Sequence, residues 1–225
     1  MAYFAHVPSP QPALSGMTTM ILRILFALAV SAIPPTIAHA AADTPIQTVE
    51  IAPLFYQRFA CTDHVNGELS DLGDALGTDC LVLGGMDGSK GLMRFYRTDG
   101  ATDEDWYGWH VEVHAPFDGV VVEIGINGVT NAPGSPGQPP PGYIKFRRTD
   151  GVVVVYAHLD EIRVRQGDRV VVGQVVALDG DNGTAKNPHV HVGAYRGKRP
   201  LQIRWDLAAE GRIQTLAHPQ QQPRP

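Results

Sequence analysis

Residues 143–195, YIKFRRTDGVVVVYAHLDEIRVRQGDRVVVGQVVALDGDNGTAKNPHVHVGAY, form a succession of short apolar runs separated by turn residues. Tyr143–Arg147, Val152–His158, Arg169–Val172, Gln174–Leu178 and His189–Tyr195 are rich in β-branched or aromatic residues and too short for typical helices, so each predicts a strand. Upstream, Val111–His114 and Gly119–Ile126 extend the pattern, and 24 Gly and 18 Pro across 225 residues supply the turns. The fold class this predicts is mainly β. The stretch Asn131–Gly142, dense in Pro and Gly, must be a surface loop; its length suits the rim of a site and equally a spacer.

Outside this region the texture changes. Residues 41–92 are mixed, with a short helix expected over Leu69–Leu76. A hydrophobic content of 44% in 225 residues supports one main core. The expected organisation is an N-terminal extension and signal over 1–40, a disulfide-linked segment over 41–92, the working domain over 93–210, and a polar, Pro-rich, disordered tail over 211–225. With 18 basic against 23 acidic residues, net charge −5, there is no basic field to hold nucleic acid.

Arg23 precedes the uncharged run Ile24–Ile33, and Ala38-His39-Ala40 follows as a small-residue cleavage site. This is the pattern of a secretory signal, with Met17 or Met20 better placed than Met1 to open it and a mature chain beginning near Ala41. The run is too short to span a bilayer, so no transmembrane anchor is expected after cleavage, and a secreted or periplasmic location follows. In an oxidising compartment Cys61 and Cys80, the only two cysteines, are expected to pair. No C-x-x-C spacing favours a metal site instead.

The chemistry concentrates in His189-Val190-His191. Strand alternation puts residues two apart on one face, where two imidazoles can converge on one ion, although such a pair is also compatible with a surface or core role.

With that pair in place, Tyr156-Ala157-His158-Leu159, Gly167-Asp168-Arg169-Val170 with Gly173-Gln174, and Pro188-His189-Val190-His191-Val192 together resemble the LytM/lysostaphin-type endopeptidases, metallopeptidase family M twenty-three. Ala115-Pro116-Phe117-Asp118-Gly119-Val120-Val121 is similar to that family's strand entry, and the ordered match runs from Trp109 to about Leu207. The resemblance implies a compact antiparallel β-sheet or half-barrel of the LytM type, a duplicated, lipoyl-like hybrid motif with a small mixed N-terminal segment. It implies one zinc ion (Zn2+), with His191 as a ligand, His189 as general base and His158 as a donor to the oxyanion. The implied substrate is a peptide of cell-wall peptidoglycan.

The sequence departs from the family in one respect: no H-x-x-x-D precedes Ala115 at about a dozen residues. Asp99 and Asp103 keep that spacing with aspartate in place of histidine, and Asp105, followed by Trp106 and Tyr107, is the other candidate ligand. A solvated acidic turn explains the same residues, while a calcium loop is not matched. His110 and His114 lie nearby, but on a strand they are separated by roughly 13 Å and cannot readily both bind one ion.

That departure opens a second class, a catalytically inactive LytM-type module that binds and activates cell-wall amidases. The presence of His158, His189 and His191 together favours the enzyme. A lipoyl- or biotinyl-like domain is disfavoured by export and by the lack of a lysine in the hairpin such domains modify.

Overall fold

The computed structural model describes residues 45–86 and 91–217. The proposed signal, its cleavage site and residues 218–225 lie outside that range. The described chain is mainly β, with twelve strands: β1 (Thr48–Ile51), β2 (Phe59–Asp63), β3 (Thr78–Val82), β4 (Glu112–His114), β5 (Gly119–Gly125), β6 (Tyr143–Arg147), β7 (Val152–Ala157), β8 (Leu159–Asp160), β9 (Arg169–Val170), β10 (Val175–Asp179), β11 (Val190–Arg196) and β12 (Arg199–Trp205). A helix, α1 (Leu207–Ala217), follows, so the first part of the tail expected to be disordered is helical.

The larger sheet runs β1-β12-β11-β7-β6-β5-β9, and a smaller one runs β4-β10-β8. All pairs in the large sheet are antiparallel except β1 with β12. Strand β11 is its hub. One edge pairs with β7, while the other is divided between β3, through Val190–Val192, and β12, through Ala194–Arg196. Among the described residues strand β2 pairs with β3 alone. Strands β1 and β3, from the segment expected to precede the working domain, are therefore hydrogen-bonded into the same sheet as the strands that follow.

Side-chain alternation builds the core. Ile144 and Phe146 on β6, Val152, Val154 and Tyr156 on β7, and Val190, Val192 and Ala194 on β11 turn inward and are fully buried. Burying side chains of the Val, Leu, Ile or Phe type stabilises a fold by about 1.5–3 kcal/mol each, so this layer fixes the register of the three strands that carry the site.

The opposite face of β7 and β11 is covered by a run of turns, Asp71–Leu76, where a short helix was expected. Gly73 sits inside it at φ +107°, a conformation no α-helix contains, and it limits the segment to a single helical bond, Ala75 N to Asp71 O. The Cys61–Cys80 disulfide is formed between directly paired positions of β2 and β3.

Candidate metal centre

Strand β11 presents His189, at its mouth, and His191 to the face covered by the Asp71–Leu76 turns. Strand β3 lies beside it with Asp79 directly opposite His191. Strand β2 lies beyond β3, and His64 follows its last residue, with its backbone N–H held by Gly77 O at 2.8 Å. Strand β7 ends at Ala157, and His158 follows in the left-handed region at φ +65°. Such a conformation costs a non-glycine residue free energy and is found where the surroundings enforce it, often at functional sites.

The three side chains His64, Asp79 and His191 converge so that one ligand atom from each lies within 4.8 Å of the other two. His64 Nε2 is 3.3 Å from Asp79 Oδ2, and His191 Nδ1 is 2.9 Å from Asp79 Oδ1. A tetrahedral ion with bonds of about 2.1 Å separates neighbouring ligand atoms by roughly 3.4 Å, so the spacing fits with little movement.

The outer hydrogen bonds fit as well. His64 Nδ1 donates to Asp74 O at 3.1 Å, and His191 Nε2 donates to Gly73 O at 2.8 Å. A carbonyl oxygen only accepts, so each ring is anchored through one N–H and turns its other nitrogen to the shared carboxylate. This is the arrangement in which imidazoles ligate a metal.

Two more imidazoles flank the group in the same manner. His158 Nδ1 donates to Asn182 O at 2.9 Å, and His189 Nδ1 donates to Asn187 O at 2.8 Å. Their ring centroids are 4.7 Å apart, and His189 Nε2 is 3.8 Å from Asp79 Oδ1. The cleft they line, about 620 Å³, also receives Leu69, Leu81, Thr184 and Lys186. Two imidazoles, one carboxylate and an open side bearing two further imidazoles make a donor set of the kind found in catalytic rather than structural zinc sites.

The electrostatics follow from this crowding. Burial opposes charge on His191, but the hydrogen bonds to Asp74, Asp79 and Gly73 O outweigh it and lift its pKa to about 10. Asp79 is desolvated yet held below the usual carboxylate range by His191, His189 and His64. Asp74 is lowered chiefly by its hydrogen bond with His191. Burial, followed by the neighbouring His189, pushes His158 down to about 4 and leaves it neutral near pH 7.

Among the residues expected from the sequence, His158, His189 and His191 are brought together. Asp99, Asp103 and Asp105 are not in the group. Asp105 accepts hydrogen bonds from Thr98 N, Thr98 Oγ1 and Gly100 N, and Asp99 accepts one from Ala101 N, which are the contacts of an acidic turn. Asp103 is buried, and its desolvation together with the adjacent Asp181 carboxyl raises its pKa to about 7. His110 pairs with Asp160 at 2.9 Å. His114 is a core residue, stacked on Tyr56 and bonded to Leu54 O.

The candidate donors that sequence reasoning missed are His64 and Asp79. Asp79 lies much farther from Ala115 than the family spacing, because the turn-rich stretch 83–111 intervenes. His64 follows the end of a different strand, β2, so no single-strand motif contains both. The available signal was their flanking of Cys61 and Cys80, whose pairing aligns β2 with β3.

Comparison with known proteins agrees with this architecture. Residues 108–203 match the model of Peptidase family M23. The chain is also similar to several solved structures. One is the catalytic domain of a mutant of prophage-encoded M23 protein EnpA from Enterococcus faecalis, at 20% identity and TM-score 0.42, covering 65% of this chain and 87% of that one. The catalytic domain of the antimicrobial peptidase lysostaphin from Staphylococcus simulans matches at 20% identity and TM-score 0.38, covering 61% and 79%. The SpoIIQ-SpoIIIAH pore forming complex matches at 21% identity and TM-score 0.36, covering 55% of this chain and 59% of that one. No curated protein matches the chain.

Proposed function

We propose that the chain is an exported zinc-dependent endopeptidase that hydrolyses peptide bonds of cell-wall peptidoglycan. The observation that supports this reading is the common orientation of four imidazoles. His64, His158, His189 and His191 are each anchored to a main-chain carbonyl and present the remaining nitrogen towards one cleft around Asp79. An amidase-binding module has no need of that set.

In this reading His64 Nε2, an Asp79 oxygen and His191 Nδ1 hold the ion. When bound, zinc polarises the scissile carbonyl and lowers the pKa of its water towards about 7. His189, with Nδ1 committed to Asn187 O, offers Nε2 as the base that takes the water proton. His158 is neutral with its proton on Nδ1, so its Nε2 is an acceptor at the cleft, and the proton that His189 takes from the water is the one it would return to the leaving amine. Leu69, Leu81 and Ala157 line the cleft and would supply apolar contact to a bound peptide.

The reading is tested by incubating zinc-loaded protein with purified peptidoglycan and analysing the fragments by mass spectrometry. New amino and carboxyl termini within the peptides support it, and their absence together with stimulation of an added amidase would assign the chain to the regulatory class.

A further inference from the structure

The two flanking imidazoles owe their orientation to carbonyls of Asn182 and Asn187, and both lie in the irregular stretch between β10 and β11. An irregular backbone holds an acceptor still only if something else holds the backbone. Asn182 Nδ2 donates to Leu159 O at 2.9 Å, and the other bonds that do so come from the Pro- and Gly-rich stretch between β5 and β6.

Asn131 Nδ2 donates to Ala185 O at 2.9 Å, to Gly183 O at 3.1 Å and, more weakly, to Asp181 Oδ1 at 3.3 Å, two hydrogens serving three acceptors. Its backbone N–H donates to Asp181 O at 2.7 Å. Gly134 N adds a bond to Lys186 O, and Gly142 N one to the buried Asn182 Oδ1, both at 2.7 Å.

The two segments pack too closely to admit a side chain at their glycines. A Cβ at Gly137 would lie 2.0 Å from Asn131 Oδ1, and one at Gly183 would lie 2.7 Å from Pro141 Cα. The two segments thus interlock through glycines, with the Asn131 amide between them.

We propose that Asn131 is a positioning residue for catalysis, bracing residues 181–187 so that the Asn182 and Asn187 carbonyls hold His158 and His189 in the tautomer with Nε2 free. The Asn131–Gly142 stretch is then a fixed brace, neither a spacer nor a moving lid. The inference rests on the proposed peptidase reading for its kinetic consequence, but not for its structural one.

The test uses Asn131→Ala and the isosteric Asn131→Asp, which has no N–H to donate and so separates the bond from the space. Long-range 1H–15N correlation spectra of the zinc-loaded protein report which nitrogen of His158 and His189 carries the proton. The wild type should show Nδ1–H at both rings. Both variants should keep one zinc and a near-normal KM, show mixed tautomers at one or both rings, and lose about 10- to 100-fold in kcat, the usual effect of removing an outer-sphere partner. Unchanged tautomers in Asn131→Asp would overturn the proposal, as would unchanged kcat where wild-type activity is measurable. If the wild type hydrolyses no peptide, the peptidase reading fails while the tautomer comparison still decides the brace.

Discussion

The carbonyl oxygen of Gly73 lies 2.8 Å from His191 Nε2, and it reaches that point because residue 193 carries no side chain. A Cβ at Gly193 would lie 1.5 Å from the same oxygen. Gly193→Ala must therefore push the Asp71–Leu76 turns off β11 and remove the acceptor that orients His191. Zinc affinity should fall by about 10- to 100-fold, with a melting-temperature loss from overpacking. Competition with a chelator of known affinity measures the first, and zinc binding equal to wild type would refute the account of this contact.

Uptake of zinc by the metal-free protein should release at least one proton near pH 7.5, the one from His191, besides any that the zinc-bound water gives up. His191, with its pKa lifted to about 10 between Asp74 and Asp79, must lose its Nδ1 proton to become a ligand. Apparent affinity should rise about tenfold per pH unit below that pKa. The sign for stability is opposite. The His191 pairing contributes fully below the ordinary histidine pKa of about 6.5 and is lost as pH rises through about 10, so metal-free protein weakens on the alkaline side. Calorimetry in buffers of differing ionisation enthalpy counts the proton, and zinc binding without proton release would contradict the assignment.

The Cys61–Cys80 disulfide bears on the metal centre as well as on the fold. Among the described residues strand β2 has no ladder partner except β3, and His64 is the next residue after it. Replacing both cysteines by alanine should reduce stability by about 3 kcal/mol in the chain-entropy account of a loop this size. It should also weaken zinc binding, because His64 is then held by the hairpin alone. Denaturant unfolding with and without zinc separates the two effects; equal zinc affinity in both proteins would show that the staple serves the fold only.

His189→Ala should keep its zinc and lose about 10²- to 10⁴-fold in kcat, the usual contribution of a general base. Loss of zinc in this variant would make His189 a ligand.

Much of this arrangement was legible in the sequence, and the limit was physical. Period-2 runs such as Val152–Ala157 and Val190–Arg196 specify strands locally, and the H-x-H spacing places His189 and His191 on one face without knowledge of the partners. The first two candidate ligands are not local. Asp79 meets His191 across a ladder between distant strands, and His64 joins only because β2 folds back on β3. Asp99 and Asp103 keep the expected spacing but lie outside the His64–Asp79–His191 group, Asp99 accepting a backbone N–H from Ala101 and Asp103 lying beside Asp181. Nor does a sequence reveal that Gly193 and Gly73 touch, because close approach of two backbones leaves no side-chain pattern.

The most direct measurement is the metal content of the purified protein by mass spectrometry, on wild type, His64→Ala and Asp105→Asn in parallel. The account predicts one zinc per chain in wild type and in Asp105→Asn, and none in His64→Ala, because an imidazole from β2 and not a carboxylate from the 99–105 turn completes the ligand set. Zinc retained by His64→Ala and lost from Asp105→Asn would contradict it.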